Sequence, residues 1–486
     1  MRVDGWSIVR GTFEDAWTPV LADMEAALSG PATVRLREGN TRVTAHVPGT
    51  GAVWKWWRRT GSREVLRALW GPSEAAREFD RAARAAGRGV PTAEPLFAAE
   101  RRVLGLLRGQ ALAFRYLPDA VGLDRSLDLL HAGEPDALTP VERQRVLRLA
   151  ARTIAAMHQA GILHGDLRLD NLILQPGPDG PGLSVLDWNR ATFLSSPCEK
   201  EGLADLCLLA ANLIMFGGSG AEMGDLLHAY CRSVGWTPRQ ERSVRREVIR
   251  GVRRRIRRYV ERMVRNALRP GRRQAACKSG GFVAACEVGV PLERLEATVN
   301  AQAGLSLPAR RGARPLERAH VVADPHAEDV WRAARVARTC RLPCRRVLGV
   351  VAGGRAGAGW VVMEPASGRS LREDLLSAGS RAGALGDLRA LMRLIHAFGL
   401  RLRSCVDGDM GRVSTTGGVA RRSNGVIVAN PCTLRVAPES DKRASWSVLR
   451  DWVASVCGGE AADALMPRVP AGRRAQPKNP FTLSAT

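Results

Sequence analysis

One short stretch in the first half of the chain decides how the rest is interpreted. Residues 162–174 read Ile162-Leu163-His164-Gly165-Asp166-Leu167-Arg168-Leu169-Asp170-Asn171-Leu172-Ile173-Leu174. Apolar residues stand at both ends, and His164, Asp166 and Asn171 lie between them at fixed offsets. Helical periodicity over residues 140–160 precedes this stretch, and a second short apolar run follows at 183–186. The pattern predicts a polar loop between a long buried helix and a β-hairpin.

The offsets match the pattern His-x-Asp-Leu-x-x-x-Asn, which forms the catalytic loop of protein kinases. An aspartate at the loop apex can accept the proton of a substrate hydroxyl, and an asparagine five residues later can turn back towards a phosphate-bound metal. We assign these roles to Asp166 and Asn171. Asp187 ends the next apolar run, twenty-one residues after Asp166. Kinases place their second metal-binding carboxylate there, so Asp187 is predicted to bind magnesium that bridges the β- and γ-phosphates.

A kinase site also needs a strand lysine for the α- and β-phosphates and a helix glutamate that orients it. Lys55 is the only lysine before Lys200, which makes it the predicted phosphate ligand. Glu78 is the better candidate for its partner. Glu74 lies one turn earlier on the same helix face and stays open as an alternative. The turn at Gly39 is predicted to cover the phosphates, with one glycine in place of a glycine-rich series.

The segment before the catalytic loop has the pattern of a small mixed lobe. Apolar and polar residues alternate in three runs that are separated by turn residues, which predicts three antiparallel strands: 32–36, 41–47 and 52–57. Composition predicts a helix over 73–86, with Ser73 as its cap. The predicted class is therefore α+β, a bilobal protein-kinase-like fold with its N-lobe over 1–118 and its C-lobe over 119–275.

Each of these features is common when it occurs alone. A lone Asp-Leu-x-x-x-Asn arises by chance, and an aspartate at a strand end is usually a turn former. Their order along the chain, with a lysine and a helix acid upstream, indicates a phosphotransferase that uses ATP and magnesium. Two other functions stay open. His-Gly-Asp-Leu also occurs in antibiotic and choline phosphotransferases, so a protein or small-molecule kinase fits, as does a nucleotide-binding pseudokinase scaffold.

Motifs on both sides of the loop carry a family resemblance. They are the lobe-linking region from Ser73 to Leu96, the hinge Phe114-Arg115-Tyr116-Leu117-Pro118, the loop His164-Gly165-Asp166-Leu167, and Asp187 with its trailing Arg190. Together they resemble the bacterial lipopolysaccharide core kinases, the Kdo/heptose kinase family, over roughly residues 30–275. Asp205 matches the helix aspartate that steadies the catalytic loop in that family. Trp188 and Asn189 depart from the more usual Leu-Asp.

The resemblance implies transfer of the ATP γ-phosphoryl group to a sugar hydroxyl. The implied substrate is lipopolysaccharide or another anionic envelope glycolipid, reached on the cytoplasmic face of the membrane. The sequence has no secretory signal and no apolar run near the ~20 residues that span a bilayer. We therefore expect a cytoplasmic protein with peripheral contact to the inner face of the cell membrane.

The formal net charge of +25 comes almost entirely from arginine and indicates an anionic partner. Between Arg239 and Arg273 there are fifteen arginines and three glutamates. Apolar residues recur between them at helical spacing, which predicts an amphipathic helix: Val244, Val248, Val252, Ile256, Val260, Met263 and Val264. Its arginine face fits a membrane surface or a phosphorylated glycolipid, and its apolar stripe fits packing on the C-lobe. Nothing in the sequence resembles a nucleic-acid-binding module, so we expect no nucleic acid partner.

The second half of the chain repeats the first in weaker form. Residues 326–430 follow the order of motifs in 74–187, and Arg341-Leu342-Pro343 and Val361-Val362-Met363-Glu364-Pro365 parallel Gly89-Val90-Pro91 and the hinge. In this alignment Ser404, Asp409 and Asn430 take the places of Asp166, Asn171 and Asp187. A serine cannot act as that base at neutral pH, and an asparagine binds magnesium poorly. We therefore predict a degenerate second kinase-like domain over 276–466, with an unrelated helical appendage as the alternative, and a disordered tail over 467–486.

Overall fold

The computed structural model divides the chain into two compact units, the first formed mainly by Met1–Met263 and the second by most of the chain from Val264 onward. The residues that the structure describes are 1–38, 41–127, 138–177, 180–270, 274–279, 282–287, 289–303, 313–317, 319–340, 342, 344–353, 359–364, 369–371, 375–398, 400–402, 410–412, 426–428, 434–436, 442–457 and 459–466.

A seven-stranded antiparallel sheet forms the N-lobe of the first unit. Its strands are β1 (Arg2–Val3), β2 (Trp6–Gly11), β3 (Val34–Glu38), β4 (Arg42–Val47), β5 (Ala52–Trp57), β6 (Pro95–Val103) and β7 (Leu106–Arg115). They lie in the order β1-β2-β6-β7-β5-β4-β3. The three predicted strands are β3, β4 and β5. Lys55 lies on β5, paired with Thr44 on one side and Leu112 on the other, so it occupies the middle of the sheet.

Helices cover both faces of this sheet. They are α1 (Thr18–Ala22), α2 (Met24–Ser29), α3 (Ser62–Trp70) and α4 (Glu74–Gly87). One face packs into an aromatic core that includes Trp17, Trp54 and Phe97. The other face contacts α4 through Ala75. The helix α4 begins as predicted, because the Ser73 side chain accepts a hydrogen bond from the Ala76 N–H.

The C-lobe of the first unit is mainly helical. Its elements are β8 (Val121–Gly122), α5 (Leu123–Leu127), α6 (Pro140–Gln159), β9 (Ile162–Leu163), β10 (Leu172–Gln175), β11 (Gly182–Val185), β12 (Thr192–Phe193), α7 (Leu203–Met215), α8 (Gly220–Ser233) and α9 (Pro238–Asn266). The antiparallel pair β10 and β11 is the hairpin predicted from the two apolar runs. The polar loop between β9 and β10 therefore lies between α6 and a hairpin. The α+β, two-lobed kinase-like class predicted from the sequence is confirmed.

The arginine-rich segment forms the long helix α9, and its apolar stripe packs on the C-lobe. Val244, Val248 and Ile256 are buried. Gly251 lies against Cys207 of α7, and the Arg255 guanidinium donates a hydrogen bond to the Ala204 carbonyl. The arginines of α9 are exposed. Thus the helix buries its apolar residues against α7 and presents its cationic face to solvent.

The second unit begins with a five-stranded antiparallel sheet. Its elements are β13 (Gln274–Ser279), β14 (Phe282–Glu287), α10 (Leu292–Ala303), β15 (His320–Ala323), α11 (Ala327–Thr339), β16 (Val347–Gly353) and β17 (Gly359–Met363). The strand order is β13-β14-β16-β17-β15. Trp331 of α11 is fully buried against this sheet, together with Val350 and Val361.

Smaller elements complete the described part of the second unit. They are β18 (Arg369–Ser370), α12 (Ala378–Ala397), β19 (Leu400–Leu402), β20 (Met410–Arg412), β21 (Val426–Val428), β22 (Leu434–Val436), α13 (Lys442–Cys457) and α14 (Gly459–Leu465). Ser404, Asp409, Asn430 and the predicted tail lie outside the described residues. In the described parts of both units, no helix combines the length and apolar character needed to cross a membrane.

The contact between α7 and α9 predicts the effect of one substitution. A Cβ at Gly251 would overlap Cys207 Sγ and lie 3.2 Å from Cys207 Cβ, so the two helices must separate in Gly251→Ala. We expect a loss of roughly 1–3 kcal/mol in the free energy of unfolding, as in other overpacked contacts. Gly220→Ala on α8 is the control, because nothing lies within 4 Å of that position. Thermal unfolding followed by circular dichroism measures both variants, and equal midpoints would contradict this packing.

Candidate active site

The centre of the first unit is a buried ion pair between β5 and α4. Lys55 Nζ lies 2.6 Å from both carboxylate oxygens of Glu78, and both side chains are almost completely buried. The alternation of β5 turns Lys55 towards α4, and Glu78 is one turn inside that helix. Glu74 contacts Asn189 and lies 4.0 Å from Arg42, so of the two candidate acids it is Glu78 that contacts the lysine.

Asp187 brings the C-lobe to the same lysine. Its Oδ1 accepts a hydrogen bond of 3.1 Å from Lys55 Nζ, and its Oδ2 lies 3.8 Å from Arg42 Nη2. The residue has φ 63° and ψ 61°, the left-handed conformation, and it follows β11 with Leu186 between them. Non-glycine residues adopt this conformation at some energetic cost, and it turns the chain sharply at the strand end. The turn directs the carboxylate back towards the two cations.

Burial and nearby charges shift the pKa values of Glu78 and Asp187 in opposite directions. Burial raises the pKa of Glu78, although the Lys55 ammonium opposes this shift. Burial would also raise the pKa of Asp187, but the combined charges of Lys55 and Arg42 outweigh it, so this pKa lies below its ordinary value. Asp187 is therefore an anion at neutral pH, as a metal ligand must be.

Backbone and side-chain hydrogen bonds hold the catalytic loop in one conformation. Asn171 Nδ2 donates to the Asp166 carbonyl at 2.8 Å, and Asp205 of α7 accepts the N–H groups of His164 and Gly165 at 2.7 and 2.9 Å. His164 Nε2 lies 2.9 Å from the Leu186 carbonyl. Asp166 and Asn171 are thus fixed relative to each other, and the loop is joined to the strand that ends in Asp187.

The protonation state of His164 follows from its partners. Burial lowers the pKa of this histidine, which favours the neutral ring. Because the Leu186 carbonyl can only accept, Nε2 carries the proton, and Nδ1 is left to accept the Asp166 N–H at 3.3 Å. We infer that His164 positions the loop and does not transfer protons.

Gly165 is required by the close approach of the segment that follows Asp187. It has φ 75°, and a Cβ at this position would lie 2.7 Å from the Arg190 carbonyl oxygen. No larger residue fits without moving the segment that follows Asp187. The glycine of the His-Gly-Asp-Leu motif therefore allows the catalytic loop and the metal-binding segment to pack directly together.

The two residues that depart from the family pattern have structural partners. Trp188 is buried, and its indole N–H donates to Thr92 Oγ1 at 2.7 Å in the segment that links α4 to β6. Asn189 donates through Nδ2 to Glu74, and its carbonyl accepts from Arg81. These contacts fasten the segment that follows Asp187 to α4 and to the connection after α4.

Two arginines surround the aspartates of the catalytic loop. Arg168 lies 3.6 Å from Asp166 and 3.1 Å from Asp170, and Arg37 of β3 reaches Asp170 at 3.7 Å. Arg168 Nε is shielded from solvent and has no hydrogen-bond partner within the described residues. The base candidate Asp166 thus faces a positively charged environment that suits an anionic substrate.

The predicted metal ligands fit magnesium by their chemistry. Asp187 supplies a carboxylate and Asn171 an amide oxygen, since its amide nitrogen is engaged with Asp166. Magnesium prefers such oxygen donors and is usually held by one or two side chains together with substrate phosphates. No group of three or more His, Cys, Asp or Glu side chains that could hold an ion occurs in the described part of the chain. By their chemistry alone, Asp187 and Asn171 suit a magnesium ion whose other ligands come from substrate phosphates.

The structure brings some of the predicted site residues into direct contact and places others together in one loop. Lys55, Glu78 and Asp187 are in direct contact, and Asp166 and Asn171 lie in one loop. Gly39 lies outside the described residues. Arg42 escapes prediction from the sequence, because it is one arginine among many. One sequence signal could have identified Arg42. Residues two apart on a strand share a face, and Arg42 is two residues before Thr44, which pairs with Lys55.

Arg42 supplies the first test of this site. Since it lies on the Lys55 face of the sheet and beside Asp187, Arg42→Ala should weaken ATP binding about tenfold and leave AMP binding nearly unchanged. Isothermal titration with ATP, ADP and AMP measures the difference. Arg35→Ala is the matched control, because Arg35 bonds to Glu38 and the Leu28 carbonyl. An equal loss for AMP and ATP would show that Arg42 does not act on the phosphates.

The solved structures that match this chain include two at low sequence identity. One is "WaaP in complex with acyl carrier protein"; it is 21% identical, with 51% of this chain and 99% of that chain covered and a TM-score of 0.35. The other is a double mutant of the PknI kinase domain of Mycobacterium tuberculosis, 18% identical, with 47% and 100% covered and a TM-score of 0.28. Comparison with curated proteins gave no match.

The comparison with protein families gave a direct result. Residues 32–230 match the model described as "Lipopolysaccharide kinase (Kdo/WaaP) family". The matched segment runs from just before β3 to the body of α8, and it contains Lys55, Glu78, Asp166, Asn171 and Asp187. The resemblance predicted from the sequence is thus confirmed for residues 32–230, the part of the chain that matches the lipopolysaccharide kinase (Kdo/WaaP) family.

Proposed function

We propose that the first unit transfers the γ-phosphoryl group of ATP to a sugar hydroxyl of lipopolysaccharide or a related envelope glycolipid. The observation that carries this proposal is the contact of Lys55 with both Glu78 and Asp187, next to the loop of Asp166. A lysine held by a helix acid on one side and a strand-end carboxylate on the other is the arrangement that kinases use to bind and activate a triphosphate.

Each residue then has a defined task. Lys55, oriented by Glu78, binds the α- and β-phosphates, and Arg42 adds a second positive charge. Asp166 accepts the proton of the acceptor hydroxyl as its oxygen bonds to the γ-phosphorus, and the bond from that phosphorus to the β-phosphate oxygen breaks to release ADP. Asn171 and Asp187 would hold magnesium, which neutralises phosphate charge when bound.

The surroundings of Asp166 support an anionic acceptor. Arg168 and Arg37 lie within 4 Å of the loop aspartates, and guanidinium groups bind phosphate and carboxylate groups through paired hydrogen bonds. Core sugars of lipopolysaccharide carry such anionic groups. The acceptor identity rests on the family match and on these charges.

The direct test is transfer of label from γ-labelled ATP to purified core glycolipid. Asp166→Asn should lower the transfer rate at least a hundredfold, because it removes the base but keeps the shape of the side chain. Asp170→Asn in the same loop is the matched control and should keep most of the activity. A parallel panel contains a general protein substrate, choline and an aminoglycoside. Label on those acceptors alone, or an Asp166→Asn variant as active as the parent, would contradict the proposal.

We further propose that the second unit is a degenerate copy of the N-lobe joined to further elements. The order β13-β14-β16-β17-β15 repeats β1-β2-β6-β7-β5, with each strand in the corresponding place. The helix α11 follows β15, and in the first unit α3 and then α4 follow β5 in sequence. The hairpin of β3 and β4 has no counterpart in the described part of this second sheet. That hairpin carries Arg42 and the turn predicted to cover the phosphates.

Strand registers support the loss of nucleotide chemistry. We align Val361 of β17 with Phe114 of β7. Val361 pairs with Val322, and Phe114 pairs with Val53, so Val322 corresponds to Val53. Two residues further along the chain in each unit, Asp324 takes the place of Lys55. Asp324 accepts a hydrogen bond from the His326 N–H at the start of α11. When the C-terminal ends of α11 and α4 are aligned, the buried Val330 takes the position of Glu78. An acid and a valine in place of the lysine and the glutamate cannot bind a triphosphate in the same way.

The two proposals together predict one nucleotide per chain. Equilibrium dialysis with labelled ATP should give a stoichiometry near one, and Lys55→Ala should reduce it nearly to zero. Asp324→Ala is the matched control in the second unit and should leave the stoichiometry unchanged. Two bound nucleotides in the parent protein, or one that persists in Lys55→Ala, would show that the second unit binds ATP.

The proposed location follows from the substrate. A kinase of envelope glycolipid precursors works in the cytoplasm, at the inner face of the cell membrane. The exposed arginines of α9 support peripheral contact with anionic headgroups, because each basic residue near such a surface contributes about 1 kcal/mol.

A further inference from the structure

The N-lobe exposes apolar side chains where a globular protein normally buries them. On α3, Leu66, Leu69 and Trp70 are 56%, 42% and 84% exposed. Their spacing of three and four residues places them on one face of the helix. The opposite face is occupied, since Ala68 is buried. The helix therefore turns its larger apolar side chains to solvent.

A second exposed apolar group lies at the turn between β6 and β7. Val103 and Leu104 are 47% and 97% exposed. Leu104 has φ 50° and Gly105 has φ 79°, as in a two-residue type I′ turn. Asn, Asp or Gly usually occupies the first of these positions, because a branched apolar side chain is strained there. Leu104 is thus unfavourable in both conformation and exposure, which points to a function for the side chain.

The helix and the turn form one continuous surface. The Arg102 guanidinium donates to the Ala68 carbonyl at 2.9 Å and to the Gly105 carbonyl at 3.2 Å, which holds the end of α3 beside the turn. We call the group of Leu66, Leu69, Trp70, Val103 and Leu104 the α3–turn surface. All five belong to the first unit, and they account for half of the large apolar side chains that are exposed in the described chain.

The charges around the α3–turn surface are positive. Arg63 and Arg67 on α3, and Arg101 and Arg108 on the strands next to the turn, are exposed. The nearby acids are already paired: Glu64 with Arg77 and Arg67, and Glu100 with Arg102. A partner that approaches this surface meets apolar tips surrounded by guanidinium groups.

We propose that the α3–turn surface docks the protein on an anionic lipid bilayer, with Trp70 and Leu104 entering the interface between headgroups and acyl chains. Tryptophan prefers this interface, and arginines beside it bind anionic headgroups. A short helix with a mixed apolar and basic face lies in the plane of such an interface. The proposal rests on the proposed function, which places the acceptor in a membrane.

This surface differs in chemistry from the arginine face of α9. None of the large apolar side chains that are exposed in the described chain belongs to α9. Attraction through α9 depends on charge alone and disappears at high salt, whereas insertion of Trp70 and Leu104 persists once the bilayer is reached. The two contributions can therefore be separated by measurement.

Vesicle binding of the full-length protein provides the test. Vesicles of phosphatidylethanolamine with phosphatidylglycerol, and vesicles of phosphatidylcholine alone, are sedimented with the parent protein and with Trp70→Ala/Leu104→Asn. We expect binding to the anionic vesicles and roughly tenfold weaker partitioning of the double variant at high salt, from the lost apolar burial. Val141→Asn removes an exposed apolar residue from α6 and is the control. Brominated lipids should quench more fluorescence in the parent protein than in Trp70→Ala.

Loss of folding cannot mimic this result. Asparagine is favoured at the left-handed position of a type I′ turn, so Leu104→Asn should raise the unfolding temperature slightly while it weakens vesicle binding. A parent protein that does not bind anionic vesicles, or a double variant that binds as the parent does, overturns the proposal. Self-association that Trp70→Ala abolishes, without any vesicle binding, would assign the surface to a second copy of the chain and also overturn it.

Phosphotransfer assays separate this inference from the proposed function. The double variant should phosphorylate a deacylated core oligosaccharide in solution at the parent rate and should lose activity on glycolipid within vesicles. The docking would be contradicted if the double variant were as active as the parent protein on both substrates. If no preparation transfers phosphate, the proposed function fails, while vesicle sedimentation still decides whether the α3–turn surface binds lipid.

Discussion

The ammonium group of Lys55 is the point on which the first unit depends. It is buried, and it contacts Glu78 on α4 and Asp187 at the end of β11. A buried cation without partners would be strongly destabilising, so the sheet, the helix and the C-lobe strand must meet at one place. Arg42 adds a cation on the far side of Asp187. The arrangement joins the two lobes and brings together the residues that we propose bind a triphosphate.

The other contacts of the site keep this meeting point in place. Asp205 binds the catalytic loop through two backbone N–H groups, and His164 ties the loop to the strand before Asp187. Trp188 connects the following segment to Thr92. We assign no chemical step to Asp205, His164 or Trp188. Each of them instead fixes the position of a residue that has a proposed role in the reaction. Trp188, at which the sequence departs from the family pattern, therefore has a packing role directly beside the Asp187 carboxylate.

Much of the first unit is predictable because its strongest signals are local. The loop motif, the single N-terminal lysine and the alternating strands are readable from spacing alone. Glu78 and Glu74 are not separable in sequence, since both lie on one helix face and only the position of β5 decides between them. Arg42 is missed because its role comes from strand pairing and from a carboxylate far along the chain. The hairpin of β1 and β2 is missed because β1 has only two residues. The exposure of Leu104 depends on tertiary structure and leaves no trace in sequence periodicity.

Mass spectrometry of envelope glycolipids tests most directly whether the Lys55 and Asp166 site phosphorylates an envelope sugar, as we propose. Cells with the gene, without it, and with the gene restored as the Asp166→Asn form are compared. We expect the core glycolipid to lack one phosphate in the last two strains and the parent gene to restore it. Identical phosphate content in all strains would contradict the claim.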